Sequence, residues 1–290
     1  MNVDNTVVIL GNGFDLDLGW KTSFKDFLTS EKFCIYGNPR YPVKYMSELF
    51  QSIEENWYNL EEFMRECVEK STEEETDALN LFWNICRDKI YDYLTPKGDQ
   101  YKQVFNTNIN SCAYLFLQRM NKSKVFSFNY TLPYDITHLP EHEITYLHGA
   151  LNHGLSWIDI KLGIDLHVKN KLAWSDKLKP YLKAYESKKI DELLVAIKHA
   201  NKIIIYGHSL GISDSDYFEP IFSNIIHGPL LNKSIFFITK NSASMQCIKD
   251  NMSKYGIDYN RLVFGSSVCK NIYTDNGINN PDFQNIITNI

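Results

Sequence analysis

The 290-residue sequence predicts an α/β protein built on a mainly parallel sheet, and three observations carry that prediction. The apolar runs Thr6–Leu10, Lys202–Tyr206 and Ser234–Thr239 lack strict polar–apolar alternation, as expected of strands covered on both faces. The first run passes directly into Gly11-Asn12-Gly13-Phe14-Asp15. Glycines there let the backbone turn sharply and bring its N–H groups close to a phosphate. Three further polar clusters follow apolar runs: Phe128-Asn129-Tyr130-Thr131, His148-Gly149, and Gly207-His208-Ser209 with Asp214. Open α/β sheets bind ligands at the carboxyl ends of their strands, so these clusters outline one site. The whole reads as a Rossmann-like sheet.

The elements follow in order from Thr6–Leu10. Ser23-x-x-Asp26 has the form of a capping box and opens a short helix through Leu28. Trp57, Leu60, Met64, Cys67 and Val68 share one helical stripe. Ala78, Phe82, Ile85, Ile90 and Leu94 form a second, and Val104, Ile109, Cys112, Leu115 and Phe116 a third. Roughly 100 residues of mainly helix thus separate two sheet strands, where about 12 suffice for a crossover. Residues 20–120 are therefore expected to form a helical insertion within a single domain spanning 1–290. Shorter strands are predicted at Lys124–Phe128 and Glu143–Leu147, with a last candidate at Arg261–Phe264. Leu193, Leu194, Ile197 and Ala200 mark a helix before Lys202–Tyr206; Phe218, Ile221, Phe222 and Ile225 mark one after it. The segment from Asn152 to Lys189 has no clear period and reads as a lid or irregular connection.

Composition narrows the function classes. Hydrophobic residues make up 44% of the chain and aromatics 14%, enough for a sizeable core. A net charge of −5 with no basic block argues against a nucleic-acid partner. The six cysteines, Cys34, Cys67, Cys86, Cys112, Cys247 and Cys269, include no C-x-x-C pair. That spacing gives neither a zinc ribbon nor a disulfide framework, so no metal is expected. Asp4 and a five-residue apolar run do not make a signal peptide, and no apolar stretch reaches the length of a membrane span. A cytoplasmic protein without a membrane partner is the expectation.

Each cluster has a chemical and a plain reading. Gly11-Asn12-Gly13 suits a phosphate or serves only as a strand-to-helix turn; Leu16 takes the third glycine's place in G-x-G-x-x-G, so a full dinucleotide fingerprint is not met. The Asp15 carboxylate would repel a phosphate and fits a ribose hydroxyl or an N-cap better. Asn129, before the turn fixed by Pro133, either bonds its own backbone or holds a sugar hydroxyl and a water. His148 and His208 are the histidines at strand ends, where imidazole can accept a proton near neutral pH; structural histidines are the alternative. Gly207-x-Ser209-x-Gly211 matches the letters of a nucleophile elbow. The only histidine after Ser209 is His227, which weakens a serine-hydrolase reading.

Taken together, these residues resemble the bacteriophage abortive-infection AbiH family. The likeness runs through Ile9-Leu10-Gly11-Asn12-Gly13-Phe14-Asp15 with Thr22-Ser23-Phe24 and Phe27, Trp57-x-x-Leu60-Glu61, and Phe126-x-Phe128-Asn129-Tyr130-Thr131. It continues in Leu147-His148-Gly149 and Tyr206-Gly207-His208-Ser209-Leu210 with Ser213-Asp214 and Asp216. That family is in turn similar to the sirtuin-like superfamily of NAD-binding proteins. The resemblance implies catalytic roles for Asn129 and His148. It implies ligand contacts from Gly11, Asn12, Gly13, Phe14, Asp15, Gly207, His208, Ser209 and Asp214. Protein-deacetylating sirtuins have an alanine–glycine turn, a second acidic residue beside the asparagine and a four-cysteine zinc module. Here Asn12, Tyr130-Thr131 and scattered cysteines stand instead, so hydrolysis of NAD to nicotinamide and ADP-ribose is the simpler inherited chemistry. A non-catalytic nucleotide sensor or partner-binding protein is the alternative. NAD or a related adenine nucleotide is the implied ligand; a phage trigger and a homo-oligomeric state are compatible with this reading.

Overall fold

The computed structural model describes residues 5–31, 33, 43–54, 59–120, 123–137, 139, 143–151, 160, 162–164, 168–182, 188–228 and 233–290. Six strands, β1 (Thr6–Leu10), β2 (Lys124–Ser127), β3 (Ile144–Tyr146), β4 (Lys202–Tyr206), β5 (Ser234–Thr239) and β6 (Val268–Tyr273), form one sheet in the order β3-β2-β1-β4-β5-β6. Every pair is parallel. This is the Rossmann arrangement, in which the chain leaves β1 in one direction and β4 in the other.

All five residues of β1 are buried because the sheet is covered on both faces, which is why the apolar run does not alternate. Successive side chains of a strand still point to opposite faces. Val8 and Leu10 enter a core with Leu60, Met64, Phe82 and Trp83 from the helices Leu60–Lys70 and Thr76–Leu94, and with Phe283 and Ile286 from Pro281–Thr288. Val7 and Ile9 enter a second core with Ile197, Phe218 and Ile248 from Lys188–His199, Ser215–His227 and Ser242–Lys254. Between β1 and β2 the described chain is almost entirely helical.

Three sequence expectations need correction. Arg261–Phe264 lies within a helix, Tyr259–Gly265, whose N-cap Asp258 accepts the Asn260 N–H at 2.8 Å. Only Leu262 of those four side chains is buried, and Phe264 is 88% exposed; a four-residue apolar run cannot separate helix from strand by periodicity. The last strand is instead β6, an edge strand whose Lys270 and Asn271 hide it from an apolar pattern. The third helical stripe is two helices, Asp99–Val104 and Cys112–Arg119, and Ile109 between them is exposed. The described part of the 152–189 segment is irregular, as expected, but it is packed down. Leu162, Ile164, Leu172 and Leu178 are buried, and the Asn170 side chain donates to the Val68 carbonyl at 2.7 Å. Trp57 and residues 152–159 lie outside the described residues.

Candidate functional site at the β1–β4 switch point

Two loops, one after β1 and one after β4, are locked against each other. Gly11 N–H donates to the Tyr206 carbonyl at 2.9 Å and Gly13 N–H to the Gly207 carbonyl at 2.7 Å. A Cβ on Gly11 would lie 2.5 Å from His208 Cα, and one on Gly207 2.2 Å from the Phe14 nitrogen. Gly207 also has φ of 66°, a region that L side chains rarely adopt. These glycines are thus required by loop-on-loop packing. Leu210, with φ of 52°, is buried and strained, and its N–H donates to His208 Nδ1 at 2.9 Å. That bond makes His208 Nδ1 the acceptor and leaves Nε2 to carry the proton of the neutral ring.

The β2 tip supplies the second cluster. Asn129 is 7% exposed, and its Nδ2 donates to the Gly11 carbonyl at 3.1 Å and to Asp15 Oδ1 at 2.8 Å. Thr131 Oγ1 donates to Asp15 Oδ2 at 2.7 Å. Burial pushes the Asp15 carboxyl up from 3.8 to about 7, against the opposing hydrogen bonds from Thr131, Asn129 and Thr22.

A third cluster gathers the ends of β3 and β4. His148 Nε2 lies 3.3 Å from Asp214 Oδ1, and His208 Nε2 lies 3.5 Å from Asp214 Oδ2. One carboxylate therefore faces two imidazoles. Both rings meet the Phe128 edge or face, with centroids 4.9 Å (His148) and 4.3 Å (His208) away. The Tyr130 phenol is held well above its ordinary pKa by burial, with Glu61, Asp214 and Tyr217 adding to the shift, so it stays a neutral hydroxyl.

These groups border a cleft of about 450 Å³ over the carboxyl ends of β1, β2 and β4. Asn12, Gly13, Asp15, Asn129, His148, Gly207, His208, Ser209 and Asp214 all line it. Gly11 stands behind it in the loop seam. Phe14 turns into the core and packs edge-on against Tyr206, 5.1 Å between centroids. Sequence reasoning left Glu61 out of the site set, although it lines the cleft and its Oε2 accepts the Ser213 hydroxyl at 3.0 Å. The available signal was a carboxylate in the first turn of an amphipathic helix; in the structure Glu61 is buried and its neighbour Glu62 half-buried. A second cleft of about 410 Å³ lies on the other side of the Gly207–Ser209 turn, lined among others by Asp17, Lys240, Ser244 and Asp275. The two clefts share Gly13, Leu16, Gly207, His208 and Ser209. Among the described residues no group of three or more His, Cys, Asp or Glu is placed to hold a metal ion. No described helix is long and apolar enough to cross a membrane.

Sheet order and cleft define the class: an α/β protein of Rossmann topology with a ligand-sized cleft at its switch point. The family model "Bacteriophage abortive infection AbiH" matches residues 7–230, and the chain belongs to that family. Among curated proteins no sequence match is found. Similar solved structures include Sir2 in complex with the inhibitor EX-527, 2'-O-acetyl-ADP-ribose and deacetylated p53 peptide. That likeness has a TM-score of 0.36 and 12% identity, covering 88% of this chain and 95% of that one. Sir2 bound to acetylated peptide is similar at a TM-score of 0.35 and 12% identity, covering 88% and 94%.

Proposed function

We propose that this abortive-infection protein binds NAD in the switch-point cleft and hydrolyses it to nicotinamide and ADP-ribose during phage infection. The observation that carries the reading is the convergence of Asn129 and His148, from the ends of β2 and β3, on one cleft. The glycosidic bond to a positively charged nicotinamide already has a good leaving group. The protein must hold the ribose, stabilise an oxocarbenium-like centre and place a water. Asn129 spends both amide hydrogens on Gly11 and Asp15, so its carbonyl oxygen is what it offers to a ribose hydroxyl or a water.

His148 takes the proton that the attacking water loses as the new C–O bond forms and nicotinamide departs with the bonding pair. Its Nε2 faces Asp214, which stabilises the imidazolium that results. In the neutral ring the proton then sits on Nε2, and Nδ1 is the basic nitrogen. The neighbouring cleft, with Lys240, Ser244 and Asp275, offers charge and hydroxyls to the rest of a dinucleotide. A serine-hydrolase reading is less well supported, because His208 Nδ1 accepts from Leu210 and its Nε2 faces Asp214.

Calorimetric titration with NAD, ADP-ribose and ATP tests the ligand half of the proposal. NAD and ADP-ribose are expected to bind, and Asp214→Ala to weaken both. Binding of ATP in preference to either would move the reading to a nucleotide sensor.

A further inference from the structure

The carboxyl of Asp15 follows the glycine turn after β1, and its contacts point inward. Its Oδ1 accepts from Asn129 Nδ2 at 2.8 Å and its Oδ2 from Thr131 Oγ1 at 2.7 Å. Asp15 is 1% exposed. An asparagine side chain has two orientations related by a half-turn of the amide. One shows an acceptor to the cleft, the other two donors. The Gly11 carbonyl, 3.1 Å from Asn129 Nδ2, takes one amide hydrogen, and Asp15 takes the other. A flipped amide would set its carbonyl oxygen against two acceptors, with a buried hydrogen-bond cost on each side.

We infer that Asp15 is a positioning residue that locks the Asn129 amide with its carbonyl oxygen toward the cleft, so the site selects a ligand hydroxyl or water there. The functional half of this inference rests on the NAD-hydrolysis reading; the lock itself does not. A site built to accept from a hydroxyl rejects a ligand that lacks one far more strongly than a merely apolar pocket can. Thr131 holds the second oxygen and so fixes the plane of the carboxyl. Asn in place of Asp15 can keep the lock, because its oxygen still accepts from Asn129 while its amide donates to a rotated Thr131 hydroxyl. Leu in its place cannot.

The test is NMR of full-length protein labelled with 15N-asparagine, in which the Asn129 side-chain amide pair is assigned by its loss in Asn129→Ser. The pair is expected to be protected from exchange in wild type and in Asp15→Asn, and to move to a solvent-like, fast-exchanging position in Asp15→Leu. In wild type the pair should shift with pH with a midpoint of about 7, and the shift should vanish in Asp15→Asn. An unchanged pair in Asp15→Leu, or a titration that survives in Asp15→Asn, overturns the lock. If Asp15→Leu does not fold, the wild-type and Asp15→Asn titrations still decide.

NAD turnover then reads the functional half. Asp15→Leu should lower kcat by about 100-fold with KM little changed, and Asp15→Asn should recover at least about tenfold of that loss. A raised KM at unchanged kcat would make Asp15 a ligand contact and overturn the positioning role. Wild type that consumes no NAD in extracts of phage-challenged cells contradicts the activity reading and leaves the amide spectra to judge the lock.

Discussion

The cleft has two polar sides that are built differently. On the β2 side, Asn129, Thr131 and Asp15 are joined by hydrogen bonds of 2.7–2.8 Å, and the amide is oriented by a backbone carbonyl as well. On the β3–β4 side, His148 and His208 stand 3.3 and 3.5 Å from a shared Asp214. The first side presents the Asn129 carbonyl oxygen as an acceptor, with the amide hydrogens already spent. The second holds the groups that can exchange a proton, at distances a small closure would shorten. A reaction needing fixed sugar geometry and one mobile proton calls for this division. The seam between β1 and β4, with Gly207 against Gly13 and Phe14, joins the two.

The largest effect should come from removing either side. Asn129→Ala and His148→Ala are each expected to lower NAD turnover at least about 100-fold. The two should differ in chemical rescue: added imidazole should restore part of the rate of His148→Ala and none of that of Asn129→Ala. Rescue of both variants alike, or of neither, would end the distinction between the sides.

Breaking the seam comes next. Alanine at 207 places a Cβ 2.2 Å from the Phe14 nitrogen and 2.4 Å from the Gly13 carbonyl carbon, at a φ of 66°. Both neighbours are backbone and cannot step aside cheaply. Gly207→Ala should cost about 3–5 kcal/mol in urea unfolding; wild-type stability would show that the loops are not interlocked.

Asp15 gives a pH signature of its own. Burial raises its folded-state pKa from 3.8 to about 7. Its contribution to stability is therefore fully present below about pH 4 and is lost as pH rises to about 7. The difference is on the order of 4 kcal/mol at most, since each pKa unit is worth about 1.4 kcal/mol. Asp15→Asn carries no such charge, so its melting temperature relative to wild type should climb between pH 4 and 8. A flat difference across that range would place the titration elsewhere. The smallest effect is expected at Ser209, which lines both clefts. Ser209→Ala should raise KM by no more than about tenfold at unchanged kcat, whereas abolished turnover would make it a nucleophile.

Much of the sheet was legible because strands buried on both faces leave continuous apolar runs, as Thr6–Leu10 and Lys202–Tyr206 do. The edge strand β6 was not, since an edge buries fewer side chains and its sequence carries Lys270 and Asn271. The polar clusters were readable as residues at strand ends, and seven of the nine ligand-contact candidates line the cleft together with Asn129 and His148. What the spacing could not reveal was direction. Phe14 sits among glycines yet turns inward, 5.1 Å from Tyr206. Asp15, beside the Gly11–Gly13 turn, faces Asn129 across 114 residues of chain. Glu61 enters the site from a helix whose tertiary placement no local pattern encodes.

The central claim is most directly tested by nicotinamide release in cells carrying wild type, Asn129→Ala or His148→Ala, measured with and without phage challenge. Wild type should release nicotinamide and lose NAD after infection, in step with protection, and both variants should lose release and protection together. Protection that persists in both variants, or in wild type without any fall in NAD, would contradict it.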